Sequence, residues 1–261
     1  MKALLHFDRV SVSYNGVPVV HDVSFSLCEG EILGVVGESG SGKSTLLKAA
    51  MGLLGPGGVV SRGDIWYKDK NLPDLSEEEL RRLSGPDLAM IFQHAGASFC
   101  PIRTVGAQLY EAAIAHENIS EAEFRDKAAT LLQKLRFEDA ARILKSYPFE
   151  LSGGMMQRVG IAAAMLLNPS VLLADEPTSA LDDSVQKQVV EDMLLIRTLY
   201  HTSIVIVTHN IGVVRAMADL VVVMKDGRIV ESGDTQEVLK HPAQEYTQTL
   251  MAAVPRLQRS A

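Results

Sequence analysis

Gly37-Glu38-Ser39-Gly40-Ser41-Gly42-Lys43-Ser44, followed by Thr45, satisfies every fixed position of the pattern G-x-x-x-x-G-K-[ST]. These residue types suit one task, the holding of nucleotide phosphates. Glycines let backbone N–H groups turn inward around the β- and γ-phosphates, the Lys43 ammonium reaches between them, and the Ser44 hydroxyl is a ligand for Mg²⁺. A second reactive set lies downstream, where the apolar run Val171-Leu172-Leu173-Ala174 ends in Asp175 and Glu176. In isolation such a run is an ordinary strand ending at solvent. Beside a phosphate cradle, Asp175 can hold the Mg²⁺ shell through water, and Glu176 can polarise the water that attacks the γ-phosphate. Ser152-Gly153-Gly154 precedes an apolar helix, so its hydroxyl and N–H groups make a further, separate anion cup.

The surrounding patterns predict elements that would position these groups. Ile32-Leu33-Gly34-Val35-Val36 reads as a buried strand before the cradle, and residues 46–51 continue as a helix whose N-terminus points at the anion. Alternation over 10–14, the pair Asn15-Gly16 and a further apolar run from Val17 predict a β-hairpin, with a second alternation over 23–27. Tyr14 at the hairpin tip suits base stacking and a half-exposed strand position equally well. After a turn at Gly55-Pro56-Gly57-Gly58, Asp64-Ile65-Trp66-Tyr67 reads as a strand, and Ser76 with Glu79 has capping-box spacing for a short charged helix. Residues 88–92 predict a core strand that delivers Gln93 to its end. From 104 to 167 the spacing is helical, with a second capping box at Ser120 and Glu123. Strands at 171–174 and 204–207, a helix over 186–199 and a closing hairpin around Asp226-Gly227 complete the chain. Such strand–helix alternation implies a mainly parallel sheet. The expected organisation is one domain over 1–261, in which 1–93 and 168–261 form the nucleotide-binding core with its β subdomain and 94–167 an inserted helical subdomain.

Composition bounds the rest. In 261 residues, 47% are apolar and 22% charged, which predicts a soluble globular fold with a sizeable core. No apolar run approaches the roughly 18 residues of a membrane-spanning helix. Asp8 and Arg9 interrupt any signal core after Met1-Lys2-Ala3-Leu4-Leu5, so export is not expected. A net charge of −7 repels phosphodiester backbones and argues against nucleic acid as a partner. Cys28 and Cys100 form no C-x-x-C pair and are predicted to be reduced, partly buried thiols.

Leu151-Ser152-Gly153-Gly154-Met155, upstream of the carboxylate strand, resembles the signature motif of ATP-binding cassette (ABC) ATPases. The resemblance covers nearly the whole chain: Tyr14 matches the adenine-stacking aromatic, Gln93 the Q-loop, Ser179-Ala180-Leu181-Asp182 the D-loop and His209 the switch histidine. It implies a P-loop NTPase (RecA-like) α/β core with an N-terminal antiparallel β subdomain and an inserted α-helical subdomain. It also implies ATP hydrolysis with Mg²⁺ as cofactor, the metal held by Ser44, Gln93 and Asp175. Glu176, His209, Gln93 and Lys43 would be catalytic, and Tyr14, Gly37 to Thr45 and Asp182 would bind nucleotide. Two cassettes would pair head to tail, so that Ser152, Gly153 and Gly154 complete the partner's site. That partner would be a related cassette, with a homodimer as the alternative.

A closer resemblance, to ATPases of oligopeptide, dipeptide and nickel importers, rests on Tyr147-Pro148-Phe149-Glu150-Leu151, Thr104-Val105-Gly106, and a tail running from His241-Pro242 through Tyr246-Thr247 to Ala252-Ala253-Val254-Pro255. It implies two transmembrane permease subunits, an extracytoplasmic solute-binding protein, and a peripheral location on the cytoplasmic face of the membrane. Larger peptide-importer ATPases continue into a cysteine-bearing extension, whereas this chain stops at Ala261; the expectation therefore leans to nickel or a nickel chelate, with di- and oligopeptides as the alternative. Four places depart from the wider pattern: Met155 and Met156 in the signature, His94-Ala95-Gly96 after Gln93, and Asn210 after His209. A soluble relative acting on nucleic acid or ribosomes is disfavoured by the acidic balance and the lack of a heptad arm.

Overall fold

The computed structural model describes residues 3–252, and the tail residues Ala253-Val254-Pro255 lie outside them. Strands β1 (Ala3–Tyr14) and β2 (Val17–Cys28) form an antiparallel hairpin. Asn15 and Gly16 turn it with φ of 48° and 81°, the left-handed pair that a two-residue I′ turn requires. The alternation over 23–27 is thus no separate strand. β2 runs straight through it and absorbs the irregularity at Asp22, whose φ is 52°. β3 (Ile32–Val36) is buried at all five positions, as a strand covered on both faces must be. Helix α1 (Lys43–Ala50) begins inside the glycine-rich motif, earlier than apolar spacing alone predicts. β4 (Gly58–Tyr67) and the short β5 (Lys70–Asn71) extend the hairpin into a sheet of order β2-β1-β4-β5.

Helix α2 (Glu77–Leu83) opens on the Ser76/Glu79 capping box with both reciprocal bonds made. β6 (Leu88–Ile91) stops one residue short of the expected strand, and Phe92 is 39% exposed rather than part of the core. Four helices follow, α3 (Val105–Ile114), α4 (Glu121–Lys134), α5 (Ala140–Lys145) and α6 (Gly153–Met165), and α4 has the expected Ser120/Glu123 box. The remainder alternates: β7 (Val171–Asp175), α7 (Asp183–Tyr200), β8 (Ser203–Thr208), α8 (Ile211–Met217), β9 (Leu220–Lys225), β10 (Arg228–Asp234), α9 (Thr235–Lys240) and α10 (Glu245–Ala252). Cys28 is half-buried as expected, but Cys100, in the loop before α3, is exposed.

By packing, the chain divides into two units, one holding residues up to Leu75 and from Val205 on, the other Ser76–Ile204. In the first, the strands β10-β9-β3-β8 lie in that order, with β3 parallel to β9 and β9 antiparallel to β10. Helix α8 approaches β3 so closely that a Cβ on Gly34 would sit 2.6 Å from Cγ1 of Val214, so only glycine fits there. In the second unit, β6 and β7 pair in parallel with Ile91 beside Ala174. A buried ion pair ties α6 to α7: Arg158 Nε donates to Asp192 Oδ2 at 2.6 Å, and the two side chains are 15% and 1% exposed. The guanidinium also bonds the Leu135 carbonyl and lies over the Phe137 ring, 4.4 Å from its centroid. Burial pushes the Asp192 carboxyl up while Arg158 pulls it back, the balance expected of a charge that is tolerated only because it is paired.

Candidate nucleotide site

The phosphate loop is shaped by close backbone packing. Gly37 has a φ of 154°, and a Cβ there would lie 2.1 Å from the Met224 carbonyl oxygen, so the chain can enter the loop only as glycine. Gly40 and Gly42 take φ of 83° and 94°, and Gly40 faces open space where a side chain would project. Gly42 is the N-cap of α1 and brings no side-chain acceptor to the first turn, and no acidic residue lies in that turn. A helix start of this kind suits an anion, since its N–H groups and the positive end of the dipole converge there. Lys43 is 5% exposed and lies across the loop, its Nζ donating to Gly37 O at 2.8 Å, Glu38 O at 2.7 Å and Ser41 Oγ at 3.3 Å. Ser44 and Thr45 follow, half-buried. Tyr14, also half-buried, sits at the end of β1, and a Cβ on Gly58 of β4 would lie 2.8 Å from its Cε1. His209 follows β8 directly and is exposed. Asn210, one of the four departures, caps α8 by accepting the Gly212 N–H at 2.9 Å, a task its side-chain oxygen performs as well as a carboxylate. The loop, Tyr14 and His209 all belong to the first unit.

The second unit carries the other candidates. Because β6 and β7 run in parallel, Gln93 and the pair Asp175-Glu176 leave the same edge. Asp175 is 6% exposed at the end of β7. Glu176 takes a φ of 49°, a left-handed conformation uncommon outside glycine, and its carbonyl accepts the Ser179 N–H. Backbone strain of this kind re-aims a side chain and persists only when the surroundings enforce it. Ser152 is the N-cap of α6, its hydroxyl accepting the Met155 N–H at 3.3 Å while its own proton remains able to donate. Gly153 is exposed with open space around it. Asp182 caps α7 through Val185 N–H and accepts the Ser184 hydroxyl at 2.6 Å, and these bonds, the Ser184 one first, hold its carboxyl below the usual range.

Two further residues fix the segment after Gln93, and local sequence reading did not single them out. Ala95 N–H donates to Gln157 Oε1, and Gly160 leaves room for Ala95, whose Cβ would lie 2.5 Å from a Cβ at that position. Both come from α6, the helix that Ser152 begins. Met156, another of the departures, is buried at 6% on the same helix, and an apolar side chain suits that setting.

A family model described as ABC transporter matches residues 20–179. The chain belongs to the ABC transporter family. Its fold agrees: a dimeric ATP-binding cassette in a post-hydrolysis state with ADP and Pi has a TM-score of 0.78 and 27% identity, covering 88% of this chain and 98% of that one. The cassette cbiO1 of Clostridium perfringens has a TM-score of 0.79 and 26% identity, covering 92% of each chain. The architecture is therefore that of the ABC ATPases, a P-loop α/β core with an antiparallel β subdomain and a helical subdomain, and the protein is an ATPase that binds ATP. Among curated relatives, the oligopeptide transport ATP-binding protein AppD of Bacillus subtilis is 42% identical over 240 residues, 92% of this chain and 73% of that protein. The metal-staphylopine import system ATP-binding protein CntD of Staphylococcus aureus is 39% identical over 248 residues, 95% of this chain and 91% of that protein.

Proposed function

We propose that this ABC ATPase energises uptake across the cytoplasmic membrane as a peripheral subunit of an importer, with nickel or a nickel chelate as cargo. The observation that carries the importer reading is the 39% identity, over 95% of the chain, to an ATP-binding protein named for metal-staphylopine import. In this reading Lys43 and the loop amides of Gly37 to Thr45 bind the β- and γ-phosphates, Tyr14 stacks on adenine, and Glu176 polarises the attacking water. His209 holds that water and bonds the γ-phosphate, while Gln93 senses Mg²⁺ and the γ-phosphate and passes that to the permease subunits. Ser44, Asp175 and Gln93 offer hydroxyl, carboxylate and amide oxygens, the hard donors that Mg²⁺ prefers, and the ion would neutralise charge developing on the phosphates. Asp182 also binds nucleotide, while Ser152, Gly153 and Gly154 face the nucleotide of a second cassette, a paralogue or a second copy of the chain. The domain boundaries follow the same reading, with 94–167 as the helical subdomain.

Two permease subunits and an extracytoplasmic solute-binding protein complete the assembly. Among the described residues no helix is long and apolar enough to cross a membrane. Attachment is assigned to the helical block, where α3, α4 and α5 enclose a groove of about 890 Å³ lined by Tyr110, Ile114, Phe124 and Leu144. A cytoplasmic helix of a permease should crosslink to cysteines placed at Ile114 or Ile102. Crosslinks confined to the β1–β2 hairpin would count against this seat.

Peptides are the second reading of the cargo, favoured by the 42% identity to an oligopeptide transport protein. Cells lacking the gene should lose nickel-dependent enzyme activity under nickel limitation, regain it with excess nickel, and keep peptide uptake. The reverse pattern would assign the cargo to peptides.

A further inference from the structure

The peptide unit between Gly37 and Glu38 has a partner on each side. Its carbonyl, Gly37 O, accepts from Lys43 Nζ at 2.8 Å. Its N–H, on Glu38, donates outward to the Tyr246 hydroxyl at 3.1 Å. A peptide unit is rigid and planar, with C=O and N–H pointing in opposite directions, so whatever fixes the N–H also fixes the carbonyl that Lys43 uses. Tyr246 is 208 residues away in sequence and is itself held firmly. Its ring packs with Leu250 against the buried cluster of Val36, Val214, Val221, Val223 and Val238, and Val36 is the residue immediately before the loop. Lys225 Nζ stands 4.9 Å from the ring centroid. The segment leading into α10 is pinned where the Glu231 carboxylate accepts the N–H groups of Ala243 at 2.8 Å and Gln244 at 3.2 Å. Burial pushes the Tyr246 hydroxyl up, so it stays protonated and neutral beside the loop.

We infer that Tyr246 is a positioning residue for ATP binding: its hydroxyl sets the plane of the Gly37–Glu38 peptide, and through that plane the place of the Lys43 ammonium. The inference rests on the reading of Gly37 to Thr45 as the ATP cradle. Since the tie is remote from the reacting atoms, it serves the bound ground state and the transition state alike, and its loss should appear in affinity rather than in turnover.

The test is Tyr246→Phe in the full-length chain, which keeps the ring against Val36 and Lys225 and removes only the oxygen. Loss of one net hydrogen bond predicts ATP binding weaker by about fivefold, with KM for ATP raised to match and kcat within about twofold of the parent. Amide hydrogen exchange at Glu38, measured without nucleotide, should accelerate while exchange in β3 and α10 is unchanged. Parental ATP affinity together with parental exchange at Glu38 would overturn the inference. So would a lower thermal midpoint with unaltered affinity, since Tyr246 would then be a strut of the fold alone. Failure of the parent itself to bind ATP would strike the cradle reading instead, which keeps the two failures distinct.

Discussion

Glu176→Gln is expected to slow ATP hydrolysis by roughly 10²–10⁴-fold while leaving ATP binding intact, because in the role proposed for Glu176 the change removes a general base but preserves size and most hydrogen-bonding reach. The backbone at Glu176 already sits at a φ of 49°, and glutamine places no new atom on that backbone, so the strained geometry should survive. In the proposed pairing, two cassettes that cannot hydrolyse should accumulate as a closed pair, each phosphate loop facing the other chain's Ser152-Gly153-Gly154. Phosphate release in the assembled transporter measures the first effect. A crosslink between Ser39→Cys and a cysteine in the partner's signature measures the second. Turnover at the parental rate would remove Glu176 from its role, and a crosslink formed only within one chain would remove the shared site.

Lys43→Ala should weaken ATP binding by about tenfold to more than a hundredfold, the equivalent of roughly 1.5–3 kcal/mol for a charge-assisted contact to phosphate. The structure adds a second cost. Lys43 Nζ bridges Gly37 O, Glu38 O and Ser41 Oγ, so its removal leaves those oxygens without that donor and loosens the loop proposed to hold the phosphates. Equilibrium binding of ATP reads the loss directly, and unchanged affinity would remove the loop from its assigned task.

What could be read in the sequence was what is local. β3 and β7 announce themselves because each is a short apolar run ended by chemistry-bearing residues, and α2 and α4 because a serine and a glutamate three apart satisfy each other's backbone donors. Elements whose patterning is broken were read short. β2 contains Asp22 in a left-handed conformation, which interrupts alternation without ending the strand. α1 starts on Lys43 and Ser44, polar residues that carry no apolar period. Phe92 looks like strand core by type, but the ladder with β7 ends at Ile91. The candidate site residues were all visible as motif positions, yet their supports were not. Met224 against Gly37, Gln157 and Gly160 against Ala95, and Tyr246 behind Glu38 are contacts made by folding, between positions with no local spacing to mark them.

The wall behind Gly37 also bears on which lesions a second mutation can repair. An added methyl at Gly154 would collide with Cγ1 of Val185 at 2.6 Å. That obstacle is a side chain, which a shorter residue at the same position would remove. At Gly37 the obstacle is the Met224 carbonyl, an atom that every amino acid carries. A genetic screen for suppressors therefore has a route back from Gly154→Ala through Val185, whereas for Gly37→Ala trimming the Ser41 hydroxyl, 2.9 Å from the added Cβ, would leave the Met224 carbonyl in place. The two glycines, alike on paper, differ in whether the rest of the molecule can forgive their loss.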